Sequence, residues 1–278
     1  MKLFRLFSRG KPEAASLKPA QEAQVPREAG PPVLRAANVQ GQGGRERQED
    51  SFAIANAAGG ELQQAQGLLA LVADGMGGME NGKSASQWVA ERFFQLFRER
   101  EGENLPGWFY RCVHAVSEEV FRQFGGRSGS TLVAVHIQEE RMHWLSVGDS
   151  AIYLCRNGGV FQLNREHTCL NRLFLQELER EVIDKERAIA DPDAPRLTSF
   201  VGIDRLTEVD LSLRPLVLQR GDALLLCSDG ISGVLTAPEL LECMSMDPEE
   251  GVRLLERLVF EKNVMEQDNY TGILISCQ

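Results

Sequence analysis

Three apolar runs in this chain each arrive at an aspartate: LLALVADG reaches Asp74, HWLSVGDS reaches Asp149 and ALLLCSDG reaches Asp229. Each run has the length of a strand rather than a helix, and turn residues bound most of the similar runs elsewhere, SFAIANA, GSTLVAVHI, AIYLC, VFQLN and TGILISC. Several lie within hairpin distance of one another. In MHWLSVGDSAIYLCRNGGVFQLN the Asn157-Gly158-Gly159 step is a turn signal. Such spacing favours antiparallel sheet over a regular βαβ alternation.

Helical periodicity is confined to four segments: Ser84–Arg100, Leu105–Phe124, Cys169–Ala190 and Pro248–Phe260. Strands cluster and helices come in pairs. The expected fold is therefore α+β, a four-layer α-β-β-α sandwich of two antiparallel sheets flanked by helix pairs. The segment PEAASLKPAQEAQVPREAGPP is rich in Pro, Ala, Gln and Glu and has no hydrophobic period, so residues 1–32 are expected to be a disordered tail and linker, and residues 33–278 the folded domain. The opening MKLFRLFSRGK has no continuous apolar stretch that would make it a signal peptide. A weak peripheral contact with a membrane or partner through residues 1–11 is a secondary expectation. No run approaches the roughly 20 apolar residues of a membrane span.

The net charge of −10 argues against nucleic acid as a partner. The six cysteines form no C-x-x-C pair and read as reduced thiols of a cytoplasmic protein. The four histidines show no ligand spacing.

An Asp-Gly step is by itself an ordinary turn. Two further acidic positions change the balance: Glu49-Asp50 stands just before one strand and Asp268 just before the last. Strand-edge carboxylates from distant parts of the chain would repel one another if they converged, and a cation would be needed to hold them. Oxygen-only donors with waters completing the shell suit Mg²⁺ or Mn²⁺. Two such ions about 3.5–4 Å apart can ionise a bridging water and neutralise phosphoryl oxygens. A rival reading competes for the same turn. Gly77–Ser84, GGMENGKS, fits the phosphate-cradling pattern G-x-x-x-x-G-K-[ST], and ALLLCSD would supply a magnesium-binding Asp. Against that NTPase reading, Asp74-Gly75-Met76 intervenes between strand and loop, and Asp74 and Glu80 add negative charge where a polyphosphate would sit.

In order along the chain, GGRERQED, VADGMGG…GKSAS, SGSTLVAV, VGDSAIYL, LTSFVG, LLLCSDGI and DNYTGILI resemble the motifs of the metal-dependent Ser/Thr protein phosphatases, the type 2C or PPM family, in its bacterial form. The likeness runs from about Gly41 to Ile275. It implies hydrolysis of phosphoserine and phosphothreonine in proteins by direct attack of a water bridging two Mn²⁺ or Mg²⁺ ions, with no phosphoenzyme. None of the six cysteines has an Arg six positions on, which agrees. Carried over residue by residue, Asp74 would bridge both metals with help from the Gly75 carbonyl, and Asp229 and Asp268 would complete one of them. Glu49 and Asp50 would act on metal-bound waters, while Arg45 would grip the substrate phosphate. Asp149 and Asn269 are expected to be supporting residues. The implied partners are a phosphoprotein substrate and an opposing Ser/Thr kinase, the protein itself being a monomer. A catalytically dead binding module would need a lost carboxylate, and all the main ones are present.

Three departures from the pattern stand out. Met76 replaces a His proposed elsewhere as general acid, and Gln48 replaces Asn or Met. Arg127 stands in RSGST where many bacterial members carry an Asp for a third metal. The segment Glu166–Arg196 corresponds to a variable flap expected to help select the substrate. A two-metal site with the third weakened or lost follows from Arg127. Metal titration is therefore expected to find two ions in the wild type and an additional one in Arg127→Asp; three ions already in the wild type would contradict this.

Overall fold

The computed structural model describes residues 32–58, 61–76, 81–102, 104–180 and 184–278. Residues 1–31, which carry nearly all of the expected tail and linker, and the loop residues 77–80 of the phosphate-cradling pattern lie outside them. In chain order the first elements are β1 (Leu34–Gly41), β2 (Ser51–Ala55), α1 (Glu61–Gln66), β3 (Leu68–Ala73), α2 (Gly82–Arg98) and α3 (Leu105–Phe124). The central part comprises β4 (Leu132–Gln138), β5 (Arg141–Val147), β6 (Ala151–Arg156), β7 (Gly159–Gln162), α4 (Cys169–Glu179) and α5 (Lys185–Ile189). The chain then forms β8 (Asp210–Leu211), β9 (Leu216–Val217), β10 (Ala223–Cys227), α6 (Asp229–Ser232), α7 (Ala237–Met244), α8 (Pro248–Glu261) and β11 (Tyr270–Cys277).

Two antiparallel sheets result. One has the order β1-β11-β10-β6-β7; the other has β2-β3-β4-β5-β8, with β9 also paired to β5. Three apolar layers hold four structural layers together. Leu68, Ala70 and Val72 of β3 meet Leu224 and Leu226 of β10 and Ile273 and Ile275 of β11 between the sheets. The alternate residues Leu69, Leu71 and Ala73 turn outward against Val89, Phe93 and Phe97 of α2 and Phe109 and Val113 of α3. On the other side Ala223, Leu225 and Cys227 pack under Leu240, Cys243, Leu254, Leu255 and Val259 of α7 and α8. Covering on both faces explains why β3 and β10 are apolar at every position instead of alternating. It also produces the expected α-β-β-α order of layers.

The β6–β7 hairpin turns on Asn157 and Gly158, φ 52° and 74°, the positive pair that a two-residue turn requires. The neighbouring connection differs from the expectation of consecutive hairpins. β5 and β6 belong to different sheets, so the chain crosses the sandwich at Gly148-Asp149-Ser150. Gly148 has φ 99°, and a Cβ there would lie 2.7 Å from the Thr131 methyl, which explains the glycine at this crossing. The helical pattern over Cys169–Ala190 is realised as two helices, α4 and α5, rather than one. β1 was not evident from pattern because it is an edge strand with polar Arg35, Asn38 and Gln40 along it. The cysteines are free, and all but Cys169 are buried. Among the described residues no helix is long and apolar enough to cross a membrane.

Leu71 is completely buried between β3 and the α2–α3 layer. Leu71→Ala is expected to lower the unfolding free energy by about 2–5 kcal/mol in a denaturant titration, through lost burial and the cavity left behind.

Candidate metal centre

Antiparallel pairing brings the ends of β3, β5 and β10 to the same edge of the sandwich as the starts of β2, β6 and β11. Ser51 pairs with Ala73, Leu132 with Val147, and Cys227 with both Ala151 and Gly272. Each of these junctions carries an acidic residue, so the carboxylates of distant segments converge. A cavity of about 740 Å³ opens there. Arg45, Glu49, Asp74, Gly75, Met76, Thr131, Asp149, Asp229, Asp268 and Asn269 are among its lining residues. Asp50 is fully buried and lies behind the cavity surface.

The loops are held by short polar ties. The Asp74 N–H donates to Thr131 Oγ1 at 3.0 Å, and its carbonyl accepts from the Ser130 hydroxyl at 2.9 Å and the Thr131 N–H at 2.9 Å. Gly75 must be glycine: a Cβ would approach the Gly82 and Glu49 carbonyl oxygens to 2.4 and 2.5 Å. At Gly230 a Cβ would come within 2.0 Å of the Asn269 carbonyl oxygen, so the Asp229 loop and the start of β11 touch backbone to backbone. Asp50 Oδ2 accepts from the Ser228 hydroxyl at 2.8 Å, and Ser228 Oγ accepts the Thr271 N–H at 3.0 Å.

Asn269, whose role sequence left open, is a clamp. Its Nδ2 donates to the carbonyls of Gln42 and Arg47, 2.8 and 2.9 Å, and its Oδ1 accepts the Glu49 N–H at 2.7 Å. Gln48, which departs from the expected residue type, also holds this segment: its amide donates to the Gly41 carbonyl at 2.6 Å and its Oε1 accepts the Asp50 N–H at 2.8 Å.

Burial and mutual repulsion dominate the electrostatics. Desolvation, followed by the charges of Asp50 and Asp229, pushes the Asp74 carboxyl well above the usual carboxylate range. Asp50 is raised to about 6, chiefly by burial and then against its hydrogen bonds to Thr271 and Ser228. Asp149 is raised to about 7 by burial and then by Asp229, and Asp229 rises through burial and the charge of Asp268. The Arg45 guanidinium donates to Asp268 Oδ2 at 2.7 Å at the exposed mouth, and its charge offsets only part of the upward push on Asp229. Lys83 reaches the Asp50 backbone carbonyl at 2.6 Å and the Ser51 hydroxyl at 3.1 Å, not the carboxylates.

Two buried oxygens, Asp50 Oδ1 and Asp229 Oδ1, have no hydrogen-bond partner. A polar oxygen left so in a crowd of anions suits a cation. The donor set is entirely oxygen and so fits a hard divalent ion. Among the described residues no three acidic, imidazole or thiol side chains are gathered closely enough to hold one ion, so the expected set of Asp74, Asp229 and Asp268 lines one cavity without closing around a common point. His167 lies aside, its Nδ1 accepting the Gly148 N–H at 3.0 Å.

Ten positions singled out by sequence come together here: nine, Met76 among them, line the cavity and Asp50 backs it. Arg127 does not line it; that residue sits exposed in the loop after α3. Thr131 and Ser228 were not singled out by sequence. Their signal is positional, a hydroxyl one residue before β4 and one residue before Asp229.

Comparison with known proteins agrees with this geometry. The family described as Protein phosphatase 2C matches residues 44–259. The serine/threonine phosphatase stp of Listeria innocua is 29% identical over 185 residues, covering 63% of this chain and 71% of that protein. PppA of Pseudomonas aeruginosa superposes with a TM-score of 0.72 at 28% identity, covering 90% of this chain and all of that one. The catalytic domain of the phosphatase PstP, solved in complex with two manganese ions, gives a TM-score of 0.70 at 25% identity over 88% of this chain and 98% of that chain.

Between its ordinary value of 3.8 and about 7, Asp149 holds a proton in the folded protein that the unfolded chain releases, so its contribution to stability falls as pH rises through that window. In EDTA, Asp149→Asn is expected to gain stability relative to wild type progressively from pH 4 to pH 7. Parallel melting-temperature curves for the two proteins would contradict this.

Proposed function

The chain belongs to the protein phosphatase 2C family, and from that premise we propose a specific reading of its site, substrate and partners. The protein is a metal-dependent serine/threonine protein phosphatase. The observation that carries the reading of the site is the pair of partnerless buried oxygens, Asp50 Oδ1 and Asp229 Oδ1, on the two carboxylates whose charges act most on Asp74.

In this reading Asp74, the Gly75 carbonyl, Asp229 and Asp268 hold two Mn²⁺ or Mg²⁺ ions, with Glu49 and Asp50 ordering the waters around them. When bound, such ions supply an activated water and neutralise phosphoryl oxygens. The residues of the chain do the rest. Thr131 and Ser130 fix the Asp74 backbone, Ser228 orients Asp50, and Asn269 holds Glu49 at the rim. Arg45, half-exposed at the mouth, offers the planar donor fork that suits a phosphate monoester. Met76 lines the cavity but has no proton to give the leaving oxygen.

The substrate class is a phosphoprotein, with a Ser/Thr kinase as the opposing partner. A catalytic domain beginning near Val33, a monomeric state, a cytoplasmic location and the absence of a nucleic-acid role complete the reading, the last supported by the acidic net charge. The P. aeruginosa relative is a key regulatory component of T6SS, and regulatory dephosphorylation of a partner protein is compatible with this site. The NTPase alternative is disfavoured because β3 sits in an antiparallel sheet and Lys83 is engaged by Asp50 and Ser51.

Phosphate release from a phosphothreonine peptide is expected to require Mn²⁺, to stop in EDTA and to fall roughly 100-fold or more in Asp229→Asn. ATP should remain intact. ATP turnover with an inert peptide would overturn the proposal.

A further inference from the structure

The turn between α8 and β11 departs from what a passive loop would look like. The Gln267 N–H donates to the Val264 carbonyl at 3.3 Å, and the third residue of the turn, Glu266, has φ 62°. Asn263 just before it has φ 48°. Asn tolerates that region, but Glu is a poor occupant where Gly is favoured. Such backbone survives only where the surroundings hold it, and it concentrates at functional sites.

The turn is held at its base on both sides of the candidate centre. Gln267 Nε2 donates to the Gly230 carbonyl at 2.9 Å, beside Asp229, and the Gln267 carbonyl accepts the Gly44 N–H at 2.7 Å, beside Arg45. From this fixed base Met265 projects with 91% exposure, the highest of the large hydrophobic residues described, and Val264 is 46% exposed. Glu266 lines the cavity. A flexible thioether side chain on a rigid mount adapts to varied apolar partners, and the adjacent carboxylate attracts a cation.

We propose that Val264–Gln267 is a substrate-reading rim that favours phosphopeptides with an apolar side chain and a cationic side chain flanking the phosphoresidue. The placement supports this class of partner, because the rim continues into the phosphate-binding cavity. Other mouth charges are mixed: Glu46 adds to Glu266, whereas Arg45, on which the Glu266 charge acts, and Arg47 oppose it. The inference rests on the phosphatase reading.

A suitable probe is already written in the chain. Lys2–Lys11, KLFRLFSRGK, made as a synthetic peptide with phosphoserine at position 8, places Phe7 and Arg9 beside the phosphate. With the full chain and Mn²⁺, kcat/KM would be measured on this peptide, on its Phe7→Ala and Arg9→Glu forms, and on p-nitrophenyl phosphate. Met265→Ala is expected to lower kcat/KM about tenfold on the parent peptide, through KM, with p-nitrophenyl phosphate turnover unchanged and little further loss on the Phe7→Ala peptide. Glu266→Lys should reverse the preference between the parent peptide and its Arg9→Glu form. Glu266→Gly, which relaxes the turn, should abolish that preference while keeping the melting temperature. Equal effects of these variants on every peptide and on p-nitrophenyl phosphate would overturn the proposal. A wild type inactive on p-nitrophenyl phosphate and on all peptides would instead overturn the phosphatase reading, and this inference with it.

Discussion

Mutual repulsion among Asp50, Asp74, Asp149 and Asp229 is the constraint around which this end of the molecule is organised. Each is driven toward its neutral form by burial, and each burdens its neighbours. A flexible scaffold would relax by letting the carboxylates drift apart. Here they cannot, because each sits at the terminus of a strand whose remaining residues lie in a packed core. β3 is buried along its whole length, as is β10. The apolar layers thus supply the rigidity that the polar end requires, and a divalent cation supplies the charge.

Close backbone approach sets the shape of the site. Gly75 and Gly230 allow segments far apart in sequence to touch, and Gly148 lets the chain cross from one sheet to the other beside Thr131. Hydroxyls and amides of Ser130, Thr131, Ser228 and Asn269 then take up backbone donors and acceptors that would otherwise be unsatisfied near the cavity. They leave selected carboxylate oxygens without partners, and these are the positions at which a cation gains most.

Much of this was legible in the sequence because the signal is repeated. Apolar runs ending in Asp, with Glu49-Asp50 and Asp268 opening others, announce converging carboxylates once the strands are antiparallel. Of the flanking helices, α2, α3 and α8 were readable from periodicity, Leu105–Phe124 to its full bounds, whereas the eight-residue α7 is too short to show a clear period. Other features were not readable, for physical reasons. β1 carries polar residues because it is an edge strand, and β8 and β9 are two-residue strands that show no period. The assignment of β5 and β6 to different sheets depends on tertiary packing, since a Gly-Asp-Ser step serves a hairpin or a crossing equally well. The pattern GGMENGKS suggested a nucleotide loop from letters alone. The intervening Asp74-Gly75-Met76 already weighed against it, and the antiparallel setting of β3 and the partners of Lys83 add the structural grounds.

The most direct measurement is thermal melting of the full chain at pH 7, with EDTA and with millimolar Mn²⁺, for wild type and Asp74→Asn. A cation that binds the folded state alone raises the melting temperature by an amount that grows with the logarithm of its concentration relative to its Kd. The account predicts a clear Mn²⁺-dependent rise in the wild type. It predicts that Asp74→Asn, freed of the cost of burying an ionisable carboxyl among other carboxyls, will melt higher than wild type in EDTA yet gain little from Mn²⁺. A wild type indifferent to Mn²⁺, or an Asp74→Asn protein that gains as much as the wild type, would contradict it.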